Sequence, residues 1–188
     1  MYNIEKIIEE LKNNDKFRFK HSIGVMETAI ELSKLYDEDV ERMKIAAFLH
    51  DYAKMYSNEE LRNLAKEFNL DLEPMIVEIK DLCHGPVGAE LIKREFGIDD
   101  EIILNAIRYH TFADRNMSRF DMILYLADLI EPNRRKFKGY HKIRKLVYQD
   151  LEEGMIAALD KSIEYIIKKN EQIYLESIIL RNRLLDQQ

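Results

Sequence analysis

Apolar residues in this chain recur at helical intervals and nowhere convincingly at strand intervals. Ile4, Ile7, Ile8 and Leu11 line one helical face. Phe19, Ile23, Met26 and Ile30 line another, and Met43, Ala46, Ala47 and His50 fall at i, i+3, i+4 and i+7 of a third. Only six glycines and three prolines interrupt the pattern, so long regular elements are expected. Ser57 and Glu60 stand in capping-box register and start a fourth helix. Gly97 after Phe96 predicts a helix stop, and Asp99 predicts the N-cap of the helix carrying Ile103, Ala106, Ile107 and His110. A further helix is expected over Ser118–Leu129, ended by Pro132, and two more in the tail part near residues 169–171. The reading is all-α, a bundle of about eight or nine helices. The 188 residues make one domain over 1–188, with 141–188 as a C-terminal helical extension packed on it.

Charge narrows the partners. Thirty-five acidic against 29 basic side chains leave a formal charge of −6, a poor basis for general nucleic-acid binding, which rests on neutralising phosphates. An anionic ligand must therefore be met by a local basic cluster. One cysteine, Cys83, excludes an intrachain disulfide framework, fits a reducing compartment, and reads as a small buried hydrophobe. The N-terminal stretch "MYNIEKIIEELKNN" is charged and lacks the apolar core of a signal peptide. No apolar run approaches the roughly 18 residues that span a bilayer. These features predict a cytoplasmic protein that binds neither nucleic acid nor membrane; a homodimer stays open.

"AAFLHDYAK", residues 46–54, puts an imidazole and a carboxylate at the end of an apolar helix face, where either alone is costly. The pattern repeats. His21 shares a face with Val25, Thr28 and Leu32; His110 shares one with Ile103, Ala106 and Ile107; Asp128 lies late in the apolar "MILYLADLI". A single histidine on such a face is more often a hydrogen-bonded core residue than a ligand, and a single buried aspartate more often a cap or ion-pair partner. Several on separate helices are hard to explain independently. One metal centre between the helices satisfies them all. Mixed imidazole and carboxylate donors suit a divalent metal with open positions: iron, manganese, zinc or nickel.

The order His21, His50–Asp51, Asp128 resembles the H…HD…D signature of the HD-domain superfamily of metal-dependent phosphohydrolases. The blocks "RFKHSIGVMETA", "AAFLHDYAK", "HGPVGAELI", "AIRYHT" and "LADLIEPNR" are similar, in order and spacing, to its YqeK-like branch, from about Arg18 to the C-terminal helices. That branch consists of symmetrical bis(5′-nucleosyl)-tetraphosphatases. The resemblance implies an HD-type helical bundle and cleavage of diadenosine tetraphosphate into two ADP by in-line attack of a metal-bound hydroxide. ADP or GDP would be product-like ligands, and iron is the favoured metal. It implies His21, His50, Asp51 and Asp128 around a first ion. Asp51 would bridge to a second ion held also by His84 and His110. With one ion only, His84 and His110 would act on phosphate oxygens as cationic donors. Asp51, His84 and His110 are thus the catalytic candidates. Phe112–Ala113–Asp114 departs from the short Thr/Gly-containing turn of the family pattern.

A polyphosphate needs cations beside the metal. Arg18 lies three residues before His21, Lys54 three after Asp51, and Arg134 beyond the turn after Asp128. With His84 and His110 they are the expected phosphate contacts, and Lys20, Arg135 and Lys136 are expected to be solvated charge. Pro86 suits the first turn of a helix, which places His84 at that helix's entry. Thr111 can bond a phosphate or cap. An HD phosphohydrolase of another (deoxy)nucleotide or a guanosine alarmone, and a nucleotide-sensing module without turnover, are the alternative functions.

Overall fold

A computed structural model of the protein describes residues 16–187, with side chains from residue 19 onward. The helix expected around residues 4–11 and the side chain of Arg18 lie outside the described residues. The fold is all-α. Ten helices and no strand occur among the described residues: α1 (Lys16–Leu35), α2 (Val40–Leu49), α3 (Asn58–Glu67), α4 (Pro74–Glu78), α5 (Lys80–Phe96), α6 (Glu101–Tyr109), α7 (Arg119–Ile130), α8 (Tyr140–Val147), α9 (Leu151–Lys169) and α10 (Leu175–Leu185). A 3₁₀ turn, Tyr52–Met55, joins α2 to α3. Nine of these helices are of seven residues or more; α4 spans only five, too few to show a 3.6-residue period in the sequence.

Helix ends follow local chemistry. Ser57 and Glu60 form the expected capping box of α3, and Ser118 with Asp121 forms another at α7. Gly97 ends α5 at φ +66°, a left-handed conformation that glycine adopts without a Cβ clash. The cap of α6 is Asp100, one residue later than the expected Asp99. The Asp100 carboxylate accepts the Ile102 N–H at 3.0 Å and also pairs with Arg42.

One large apolar cluster runs from Val25 on α1 to Leu184 on α10. Helix α1 lies against α2 and α7; α6 lies against α2, α5 and α7; α9 packs on α7, α8 and α10. A second cluster, holding Leu61, Ala65, Cys83 and Val87, seats α3 and the 3₁₀ turn on α5. Burial pushes the Cys83 thiol up to about 11, so it stays neutral, as expected of a small core residue. In the departing loop, Phe112 is buried against Tyr174 and Ile76, and the Ala113 carbonyl accepts the Ser177 hydroxyl at 3.1 Å. That loop anchors α10.

The α5–α6 contact corrects the expectation for His84. Helix α5 begins at Lys80, so His84 lies in its second turn and Pro86 lies inside it. A proline there leaves the Leu82 carbonyl, four residues back, without its helical N–H. The Thr111 hydroxyl donates to that carbonyl at 3.1 Å, which makes Thr111 a structural donor. At Gly85 the backbones close together: a Cβ would stand 2.8 Å from the Arg108 carbonyl and 3.1 Å from that of Ile107. Pro86, Thr111 and Gly85 thus lock the helix carrying His84 to the end of the helix before His110.

The prediction is a matched pair of variants. Thr111→Val leaves the half-buried Leu82 carbonyl without its donor and should cost about 1 kcal/mol or more in urea unfolding. Thr111→Ser should stay near wild type. Equal stability of Thr111→Val and wild type would show that the latch contributes nothing.

Candidate metal centre

Six side chains from five helices and the segment after α2 converge. His21 comes from α1, His84 from α5 and Asp128 from α7. His50 is the C-cap of α2, Asp51 follows it, and His110 is the C-cap of α6. Asp51 occupies the middle. Its Oδ2 faces His21 Nε2 at 3.7 Å and His50 Nε2 at 3.6 Å. Its Oδ1 faces His84 Nε2 at 3.1 Å and His110 Nε2 at 3.5 Å. Asp128 Oδ1 joins the first set, 3.0 Å from His21 Nε2 and 3.8 Å from His50 Nε2. His50, Asp51, His84 and His110 are buried, whereas His21 and Asp128 sit nearer the surface, with side chains 15% and 16% exposed.

The rear nitrogens fix the rings. The His50 and His110 Nδ1–H groups donate to the carbonyls of Ala47 at 2.7 Å and Ile107 at 2.6 Å, in the last turn of their own helices. Those carbonyls are among the four a helix end leaves without an intrahelical partner, so the same bond finishes the helix and aims the ring. His84 Nδ1 donates to the Lys80 carbonyl at 3.2 Å, and His21 Nδ1 to Glu131 Oε1 at 3.1 Å. With the proton at the back, each Nε2 presents a lone pair to the centre.

That set fits a divalent cation. His50 Nε2 is fully buried and has no hydrogen-bond partner, a costly state for an isolated acceptor. His84 Nε2 and His110 Nε2 stand 3.2 Å apart, two lone pairs facing each other beside a carboxylate oxygen. A cation between them turns that repulsion into ligation. Bonds of about 2.1 Å around one ion place adjacent donors roughly 3.0–3.4 Å apart, which these spacings approach. Two triads, His21/His50/Asp51 and Asp51/His84/His110, have donor atoms all within 4.8 Å of one another.

The protonation states agree. Burial drops His50 to about 4 and lowers His84, so both rings are neutral near pH 7. Burial opposes ionisation of Asp51, but the imidazoles of His50, His110 and His84 when they carry a proton toward it, together with the Lys54 ammonium, hold it well below the usual carboxylate range. Asp128 is likewise held low against its burial, chiefly by Arg134 and His21. His21 is the exception: burial pulls it down, yet Asp128 and Glu131 outweigh burial and raise it.

A cleft of about 670 Å³ opens over the centre, lined on its floor by His21 and Asp51. Of the three cations expected near the centre, Lys54 and Arg134 have described side chains, and both lie there. Lys54 Nζ lies 2.9 Å from Asp51 Oδ2, and Arg134 donates to Asp128 Oδ1 at 2.7 Å and to the Asp128 carbonyl at 2.9 Å. Lys20 and Arg135, expected to be merely solvated, also line the cleft, as does Lys80. Lys80 escaped sequence reasoning because its place depends on α5 starting one turn earlier than the proline suggests. Glu131, buried behind His21, was also missed, since their contact joins residues 110 apart.

Comparison with known proteins follows the same lines. The HD domain family matches residues 18–133. The symmetrical bis(5′-nucleosyl)-tetraphosphatase of Halalkalibacterium halodurans is 43% identical over 171 residues, 91% of this chain and 90% of that protein. The Bacillus subtilis protein of the same name is 38% identical, covering 89% of each chain. A crystal structure of a predicted HD superfamily hydrolase involved in NAD metabolism, from Clostridium acetobutylicum, superposes with a TM-score of 0.94 at 38% identity, covering 100% of both chains.

A cation that binds the folded cluster must stabilise the fold by mass action. Adding manganese to chelator-treated protein at about 100 times its dissociation constant should stabilise it by roughly 2.7 kcal/mol. The melting temperature should rise by several degrees, and the rise should vanish in Asp51→Asn. An unchanged melting temperature in wild type would contradict a cation site here.

Proposed function

The chain belongs to the HD-domain family, in its YqeK-like branch, and from that membership we propose that it is a metal-dependent hydrolase that cleaves diadenosine tetraphosphate symmetrically into two ADP. The observation that carries the reading is the division of Asp51. One of its oxygens faces His21 and His50, the other faces His84 and His110, at the floor of a cleft rimmed by cations.

In this reading His21, His50, Asp51 and Asp128 hold one divalent ion, and Asp51, His84 and His110 hold a second. Iron is the proposed metal, with manganese, zinc and nickel as alternatives for a mixed nitrogen and oxygen set. Such ions, when bound, make water acidic enough to supply hydroxide near neutral pH and stabilise the oxygens of an in-line displacement. The chain does the rest. Backbone carbonyls fix His50, His84 and His110 so that no ring must turn during reaction. Lys54 beside Asp51 and Arg134 beside Asp128 offer ammonium and guanidinium donors to the non-bridging phosphate oxygens. Lys20, Lys80 and Arg135 extend that positive lining, so a chain of four phosphates meets cations beyond the reacting bond. Arg18 is proposed as a further phosphate contact from its place on α1. ADP and GDP would occupy the same cleft as product-like ligands.

Among the described residues no helix is long and apolar enough to cross a membrane. The alternative substrates, another (deoxy)nucleotide or an alarmone, would use the same centre and differ in products.

The test is product analysis. Protein loaded anaerobically with iron or manganese should convert diadenosine tetraphosphate to two ADP, separable by ion exchange, and Asp51→Ala should abolish turnover. ATP plus AMP would keep a hydrolase but contradict the placement of the phosphate chain. No turnover with metal verified in place would overturn the assignment and favour nucleotide sensing.

A further inference from the structure

Glu131 ends α7 as its C-cap, and its side chain is 1% exposed. A buried carboxylate is costly unless it is paired and hydrogen-bonded. Here Oε2 accepts the Asn133 N–H at 2.6 Å and Oε1 accepts the His21 Nδ1–H at 3.1 Å. The seat is made by Gly24, one turn along α1 from His21. A Cβ at Gly24 would run into Glu131 Oε2 and stand 2.8 Å from Asn133 Nδ2, so the carboxylate rests on bare helix backbone. Three features are therefore built around one contact: a buried charge, a backbone N–H that orients it, and a glycine that admits it.

The contact also makes His21 different from its partners. His50, His84 and His110 are each backed by a neutral backbone carbonyl, whereas His21 is backed by a carboxylate. A carboxylate behind an imidazole fixes the tautomer and raises the donor strength of the other nitrogen. Charge is distributed the same way. Asp128 and Glu131 both belong to the His21 side of Asp51, while the His84 and His110 side has only Asp51 Oδ1; the Lys54 ammonium meets both Asp51 oxygens, at 2.9 Å from Oδ2 and 3.2 Å from Oδ1, and Arg134 offsets only Asp128, so Glu131 is the carboxylate left to His21 alone.

We propose that Glu131 is a positioning residue that aims and strengthens His21, and so makes the His21/His50/Asp128 position the tighter of two unequal cation positions. The His84/His110 position is the weaker, exchangeable one. The inference rests on reading the cluster as a two-ion centre. It goes beyond that reading by assigning an order of filling and the residue that sets it.

The test measures affinity directly. Chelator competition with manganese, checked by counting bound ions, should give wild type two dissociation constants at least about tenfold apart. His84→Ala should keep the tighter constant and lose the weaker. Glu131→Gln cannot accept from both His21 and Asn133. Its amide, oriented by the Asn133 N–H, points a donor at His21 Nδ1 and disfavours the tautomer that ligates. It should weaken the tighter constant by about 10- to 100-fold and leave the weaker one within about threefold. Gly24→Ala, which displaces the carboxylate, should follow Glu131→Gln. Circular dichroism of each metal-free variant checks that it is folded. Equal constants in wild type, an unchanged tight constant in folded Glu131→Gln, or equal weakening of both constants would overturn the proposal. Wild type that takes up no ion would overturn the two-ion reading and this inference with it.

Discussion

The Asp51 carboxylate is 3% exposed and stands among four imidazole nitrogens and one ammonium. Burying an isolated carboxylate costs far more than a domain's net stability allows, so everything near it must compensate. Each ring is turned so that its acceptor nitrogen looks toward Asp51 or Asp128. The arrangement is repulsive among the donors themselves and attractive once positive charge lies between them. The helices are arranged to hold donors together that would otherwise separate.

The fold supplies this with a few local devices. Two helices, α2 and α6, end on a histidine whose Nδ1–H finishes the last turn, so ending the helix and aiming the ring are one event. Helix α5 carries a proline that frees a carbonyl, and a hydroxyl from the segment after α6 takes it up. Gly85 then lets α5 approach until the Ile107 carbonyl, which aims His110, is nearly in contact with the α5 backbone. A shift at any of these points moves His84 against His110, whose Nε2 atoms are 3.2 Å apart. On the opposite side Gly24 and Glu131 do the same for His21.

Much of this was legible in the sequence because it is local. Ser57 and Glu60, and Ser118 at the start of α7, mark helix starts through bonds that span three residues. His21, His50, His110 and Asp128 stood out because helical periodicity puts polar groups on faces that otherwise bury apolar ones. What escaped depends on distant partners. Nothing near Glu131 in the sequence shows that it backs His21, and nothing near Thr111 shows that it serves a carbonyl on α5. Pro86 misled because proline is usual in a first turn, and its tolerance inside α5 rests on that remote hydroxyl. The difference between Asp99 and Asp100 is of another kind: adjacent aspartates offer equivalent caps, and Asp100 is the one whose other oxygen also meets Arg42.

The central claim is that one carboxylate is shared by two cations. Anomalous diffraction from crystals grown with manganese would test it most directly. The account predicts two peaks, one within bonding distance of Asp51 Oδ2 and the His21, His50 and Asp128 donors, the other of Asp51 Oδ1, His84 and His110. A single peak, or a pair in which Asp51 touches one ion only, would contradict it.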